Sequence, residues 1–199
     1  MDRRTFLATA ALGGTAATAG CGGVLGGSVS LRPADSSVDR TKKHLSFRHD
    51  GRRRAVLSIQ QMGPQRSPTD TFELRFHISH HEDESGNEYP DSTVERFQFD
   101  LRTPQSSVDP PADVYLKSVG SAGWPARIER TENGWSRITA DDVSEFGAGT
   151  ITVSTLIRPV GEPATEVALR AEIEVSNGGF GSTTYELAAD TRFEPVVDG

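Results

Sequence analysis

Three histidines lie close together where a strand-like segment meets an acidic stretch. His77, His80 and His81 precede a run of acidic and small polar residues from 82 to 88. In an extended chain, His77 and His81 share one face with Glu73, because side chains alternate along a strand. Imidazole and carboxylate groups together are ligands that zinc and copper accept. The cluster therefore predicts either a solvated strand end with no cofactor, or a zinc or copper site at His77, His80 and His81.

A basic segment between residues 40 and 54 is the second chemical feature. It holds seven Lys or Arg residues and one Asp, in a chain that is otherwise acidic. A hairpin at this point would present Arg52, Arg53 and Arg54. These arginines would pair with acidic neighbours in the same fold, or contact anionic lipid headgroups or a partner.

Aromatic residues at turn positions offer a further binding surface. Trp124 and Trp135 both fall in segments rich in turn-forming residues. They are either core anchors or exposed rings that stack on sugars or a protein partner.

Sequence motifs of common enzyme classes are missing. The chain has no GxSxG or HExxH sequence, no phosphate-binding loop and no GxGxxG that opens a helix. We therefore expect a protein that is not an enzyme.

The N-terminal segment has the composition of a targeting signal. Arg3 and Arg4 precede a weakly apolar run of small residues that ends at Cys21, the only cysteine. A membrane-spanning helix needs about 20 strongly apolar residues, and this run is shorter and diluted by Gly and Thr. A segment that is removed after targeting fits the pattern better.

The paired arginines resemble a twin-arginine export signal, and residues 18–21 resemble a lipobox that ends at Cys21. The chain is thus similar to exported lipoproteins of halophilic archaea, in keeping with three Lys against 18 Arg. This resemblance implies a signal peptide at 1–20, a lipid on Cys21 and anchoring to the outer face of the cell membrane. It concerns location and implies nothing about activity.

Length and charge limit the organisation of the chain. It has 199 residues, a net charge of −7 and 35% hydrophobic residues. These values fit one folded domain and argue against a nucleic-acid partner. We expect a flexible tether at 21–40, rich in Gly, Ser and Asp, followed by a folded domain at 41–199.

Alternation of apolar and polar residues predicts β-strands. The period of two is clearest at 72–79, 97–101, 151–157 and 166–175. The predicted fold is all-β, with about nine to eleven strands in an antiparallel two-sheet sandwich of immunoglobulin-like type. A β-barrel is the alternative.

Two Asx-Gly pairs predict tight hairpins. Both Asp50-Gly51 and Asn133-Gly134 suit two-residue type I′ turns. At the second, such a turn would set Arg130 opposite Arg137, which is an unfavourable pair of like charges. A last pair of strands is expected at 185–189 and 192–197.

The first functional hypothesis is a lipid-anchored, non-catalytic binding module that contacts an unknown protein or envelope partner. The alternative is a metal-binding or redox-accessory surface protein that uses His77, His80 and His81. A hydrolase with a site that the sequence does not reveal is the third.

Overall fold

The computed structural model describes residues 27–80, 92–103, 111–119, 126–144, 150–177 and 182–198. In these ranges the chain forms twelve strands and no helix, so no helix there could cross a membrane. The strands are β1 (Ser28–Leu31), β2 (Pro33–Asp39), β3 (Lys42–His49), β4 (Arg52–Gln61), β5 (Phe72–Ser79), β6 (Ser92–Arg102), β7 (Ala112–Val119), β8 (Arg127–Arg130), β9 (Ser136–Ala140), β10 (Thr150–Pro159), β11 (Val167–Asn177) and β12 (Thr184–Phe193).

The strands form two six-stranded sheets. The first sheet has the order β1-β12-β11-β6-β9-β8, and the second has the order β2-β3-β4-β5-β10-β7. All neighbours are antiparallel except β1 and β12, which are parallel. The prediction of an all-β antiparallel sandwich is confirmed, and no closed barrel forms among the described strands.

The inner faces of both sheets contribute to one hydrophobic core. Phe76 of the second sheet and Phe99 of the first are both fully buried, and their rings stack with centroids 5.0 Å apart. Phe97 packs beside Phe99 at 5.2 Å. Burying a large apolar side chain contributes about 1.5–3 kcal/mol, so these alternating inward residues hold the two sheets together.

The predicted tether is wrong for residues 28–39, which form β1 and β2. Leu31 is buried and Val29 packs against the core, while β1 lies in parallel beside β12. This apolar pattern has only two members within a Ser-rich segment, too few to stand out in the sequence. The folded domain therefore begins before residue 41.

The two hairpins have different loops. Asp50 and Gly51 both have positive φ, at 51° and 73°, as the predicted two-residue type I′ turn requires. At the second hairpin the prediction is wrong. The amide of Gly134 donates to the carbonyl of Thr131, and Gly134 has a φ of 72°, which gives a three-residue loop.

This longer loop shifts the register by one residue. Arg137 then lies opposite Glu129, and Arg130 lies opposite Ser136. The shift replaces the like-charge pair of the two-residue alternative with a pair of opposite charges.

The predicted final pair of strands is also wrong, because β12 runs without a break from Thr184 to Phe193. Asp190 and Thr191 resemble turn residues, but they stay in register with β11. Asp190 is opposite Arg170, and their side chains form an ion pair at 3.4 Å.

Candidate functional site

A row of polar side chains crosses the outer face of the second sheet. His44, Ser58, His77 and Thr152 lie directly opposite one another on β3, β4, β5 and β10. The Oγ of Ser58 is 2.8 Å from Nδ1 of His44, and Nδ1 of His77 is 2.9 Å from Oγ1 of Thr152. These four residues are called the histidine row below. Each imidazole has one nitrogen held by a hydroxyl.

The surroundings of the row favour neutral imidazoles. Burial lowers the pKa of His77 below its ordinary value of 6.5, and the charges of Lys42 and Arg75 lower it further. Burial and Lys42 also lower the pKa of His44, with Asp39 opposing the shift. The row therefore lies in a positive local potential.

The structure does not bring the predicted metal ligands together. His77 lies on the outer face, His80 is buried with 1% of its surface exposed, and His81 is outside the described residues. Glu73 is already bound by Arg75 at 2.8 Å and by Lys117 at 2.5 Å. No group of three His, Cys, Asp or Glu residues suitable for a metal ion occurs in the described ranges.

Those ion pairs control the titration of Glu73. Burial alone raises the pKa of a carboxyl group, but the hydrogen bonds from Lys117 and Arg75 outweigh it and lower the pKa of Glu73 below 4.5. The carboxylate of Glu73 is thus bound by two cationic side chains.

The sequence alone does not indicate that His44 is a neighbour of His77. The two histidines are distant in the chain, and only the register of β3, β4 and β5 places them in one row. Each histidine lies on the polar side of a strand whose polar and apolar residues alternate. This alternation is the one sign of the histidine row that the sequence contains.

The three arginines of the basic hairpin have different surroundings. Arg54 lies at a β-bulge in the β3–β4 ladder, and its guanidinium is 5.3 Å from the ring centre of buried Tyr185. Arg52 is exposed, while Arg53 is partly buried. Contact of these arginines with lipid headgroups or a partner stays a prediction.

A groove of about 350 Å³ lies on the outer face of the first sheet, across β1, β12, β11, β6 and β9. It is lined by more carboxylates than guanidinium groups. The charged residues in its lining are Arg32, Arg96, Asp141, Glu172, Glu174 and Glu186. A more open depression continues past it to Glu95 and Asp142. We call this surface the acidic groove.

Only some of these carboxylates have partners. Arg96 donates to Glu174 at 2.6 Å. Glu186 accepts hydrogen bonds from two serine hydroxyls, which lower its pKa. Glu172 and Asp141 have neither a hydrogen bond nor an ion pair within the described part of the chain, and the charge of Arg96 attracts both from a longer distance. Their carboxylate oxygens are open to a ligand.

Beside the acidic groove, Trp135 lies under a guanidinium group. Arg170 is 4.4 Å from the centre of the ring, and Arg102 is 6.0 Å away on the same face of the sheet. Trp135 is half-buried by these contacts, so it is neither a core anchor nor a bare platform. The other predicted residues, Trp124 and the N-terminal Arg3, Arg4 and Cys21, lie outside the described ranges.

The family model described as a domain of unknown function, DUF8121, matches residues 29–197. No curated protein matches the chain.

Solved structures offer similarities of fold. An uncharacterized protein from Nocardia farcinica with an immunoglobulin-like fold has a TM-score of 0.44 and 13% identity, with 70% of this chain and 96% of that chain covered. A cohesin module from a Clostridium perfringens family 33 glycoside hydrolase has a TM-score of 0.40 and 15% identity, with 70% of this chain and 93% of that chain covered. The full-length major pilin SpaD from Corynebacterium diphtheriae has a TM-score of 0.40 and 11% identity, with 67% of this chain and 32% of that chain covered. At these values the three structures carry no argument about what this chain binds.

Proposed function

We propose that this chain, which belongs to the DUF8121 family, is an exported, lipid-anchored binding module without catalytic activity. Its acidic groove would hold a partner segment that carries lysine or arginine side chains. Anchoring through Cys21 would keep the domain at the outer face of the cell membrane.

The observation that carries the proposal is the pair of uncommitted carboxylates in the acidic groove. Glu172 and Asp141 line the same concavity, while Arg96 neutralises Glu174 beside them. An ammonium or guanidinium group that reaches two carboxylates forms charge-assisted hydrogen bonds with defined geometry. Because each exposed ion pair contributes only about 0–1 kcal/mol, a stable complex needs several such contacts along the groove.

The described residues also favour binding over catalysis. Ser58 and His44 form a hydroxyl–imidazole contact, but Ser58 is only 7% exposed. No carboxylate bonds to the second ring nitrogen of His44 among the described residues, so the orienting group of a catalytic triad is missing there.

Site-specific photocrosslinking in intact cells tests the groove. A photoreactive amino acid at Ala188, which lines the groove, is expected to capture a partner. The same amino acid at Val38, which is 71% exposed on the other sheet, is the matched control. Capture at position 188 is expected to fall severalfold when Glu172→Gln is added. Equal capture at both positions, or capture that Glu172→Gln leaves unchanged, would contradict the proposed binding surface.

Anchoring and export have their own tests. Cys21→Ser is expected to release the protein into the medium, because the thiol that carries the lipid is removed. Replacing Arg3 and Arg4 with lysines is expected to leave the precursor in the cytoplasm. Tight retention by cells in the first case, or normal export in the second, would argue against these parts of the proposal.

A further inference from the structure

The outer face of the second sheet carries a second row of polar residues next to the histidine row. Lys42, Gln60 and Arg75 lie opposite one another on β3, β4 and β5. Each is two residues from a member of the histidine row, so it points to the same side of the sheet. With strands about 4.8 Å apart, the six side chains surround an area of about 10 by 7 Å.

The middle strand of this area carries the shortest of the six side chains, Ser58. Ser58 and Gln60 lie on β4, flanked on one side by Lys42 and His44 and on the other by residues of β5. Ser58 is 7% exposed, whereas its neighbours on the flanking strands are partly exposed. The side chains around Ser58 therefore stand higher than its hydroxyl, and we call the shallow depression over Ser58 the cradle.

Hydrogen-bond donors in this cradle have no acceptor within the described part of the chain. They include the ammonium group of Lys42 and the amide of Gln60. The Nε2 atoms of His44 and His77 also have no hydrogen-bond partner among the described residues, and each is a donor when the hydroxyl donates to Nδ1 or when the ring is protonated. Arg75 uses its Nε on Glu73 and keeps its terminal amino groups. Several donors thus converge on one place, beside two neutral acceptors, the hydroxyl of Ser58 and the amide oxygen of Gln60.

The charges near the cradle select the sign of its ligand. Lys42, Arg75 and Lys117 face it from β3, β5 and β7, while Asp39 and Glu73 face it from β2 and β5. The net charge of these five side chains is +1. Protonation of both imidazoles would raise the net charge around the cradle to +3. A metal cation would be repelled by Lys42 and Arg75, whereas an anion would be attracted.

We infer that Lys42, His44, Ser58, Gln60, Arg75 and His77 form a binding site for a tetrahedral oxyanion, a phosphate or sulfate group. Such a group presents several acceptor oxygens in a small volume, which matches convergent N–H and O–H donors. This site lies on the sheet opposite the acidic groove, so its occupancy is separate from the proposed partner binding.

Imidazole NMR of the full chain, labelled with ¹⁵N at its five histidines, tests the inference. Sodium phosphate and sodium sulfate are titrated at constant ionic strength against sodium chloride. The resonances of His44 and His77 are expected to shift to saturation with either oxyanion. The pKa of both imidazoles is expected to rise, because the bound anion favours the protonated form.

The variant Lys42→Gln is expected to weaken oxyanion binding about tenfold, since it removes a charge-assisted bond. The matched control is Lys43→Gln, which loses the same charge from the same strand. Lys43 bonds to the carbonyl of Arg192 on the other sheet and does not face the cradle. His77→Gln provides a second variant, and thermal unfolding confirms that each variant is folded.

Three results would overturn the inference. They are equal effects of chloride and oxyanion, equal weakening by Lys42→Gln and Lys43→Gln, and tight Zn²⁺ binding that depends on His77 without any oxyanion response. Vesicles of phosphatidylglycerol, compared with vesicles of phosphatidylcholine, separate a lipid headgroup from a free oxyanion. Shifts with inorganic phosphate alone would assign the site to a free ligand, and shifts with phosphatidylglycerol would assign it to a headgroup.

Discussion

Removal of the Arg137 guanidinium is expected to destabilise the first sheet. Arg137 donates two hydrogen bonds to Asp100, from Nε at 2.8 Å and from a terminal nitrogen at 3.0 Å. The carboxylate of Asp100 has only 9% of its side-chain surface exposed. In Arg137→Gln, Asp100 would retain a bond of 3.3 Å from Gln98 and little contact with water.

The size of the effect follows from these contacts. Hydrogen bonds to charged groups contribute about 1.5–3 kcal/mol, and breaking a fully buried ion pair costs about 3–5 kcal/mol. Because 35% of the Arg137 side chain is exposed, water screens the pair and the lower end applies. We expect the free energy of unfolding to fall by about 2–3 kcal/mol, which lowers the Tm by about 4–12 °C in a domain of this size.

Urea and thermal unfolding, followed by circular dichroism, measure the change. Arg192→Gln is the matched control, since the pair of Arg192 with Glu166 at 3.3 Å is on the same sheet with 73% of the arginine side chain exposed. Its expected cost is below about 1 kcal/mol. The double variant Arg137→Gln with Asp100→Asn should recover part of the loss. Equal costs for Arg137→Gln and Arg192→Gln would refute the view that burial of Asp100 makes this pair important.

Three further changes have expected outcomes. Because the pKa values of His44 and His77 are below 6.5 in the folded state, the unfolded chain binds protons more readily, and the free energy of unfolding falls as pH decreases below about 6.5. Urea midpoints at several pH values check this, and a His77→Gln variant should show a weaker dependence. Phe99→Ala removes a fully buried ring and should cost about 3–5 kcal/mol in urea unfolding; a loss under 1 kcal/mol would contradict the assigned core. Arg170→Leu should alter the fluorescence emission of Trp135 while costing about 0.5–1 kcal/mol; an unchanged emission would argue against their contact.

The strands were predictable from the sequence where one face of the strand is buried and the other face is exposed to solvent. The segment from Phe72 to Ser79 alternates in burial along its whole length. The pattern failed where burial is slight, as in β1 and β2, and where polar residues continue a strand, as at Asp190. In both cases the strand is held by register with a neighbour, which a local pattern does not contain.

Prediction of the candidate sites from the sequence was limited for the same reason, because strand pairing decides which residues are neighbours. His77 stands out in the sequence, but closeness in the chain indicates His80 and His81 as its companions. The structure instead places His77 beside Ser58 and His44, through the pairing of three strands. The acidic groove could not be predicted, because its lining comes from five strands and no segment alone carries its charge pattern.

The most direct test of the proposed function is the affinity of the captured partner for purified chains that differ by one carboxylate. Glu172→Gln lies in the acidic groove, and Glu129→Gln lies on the same sheet outside it. We predict that Glu172→Gln weakens partner binding severalfold and reduces the dependence of the affinity on salt concentration, because one of several charged contacts is lost. We predict that Glu129→Gln leaves the affinity unchanged. Equal affinities for both variants and the wild-type chain would contradict the assignment of the acidic groove as the binding surface.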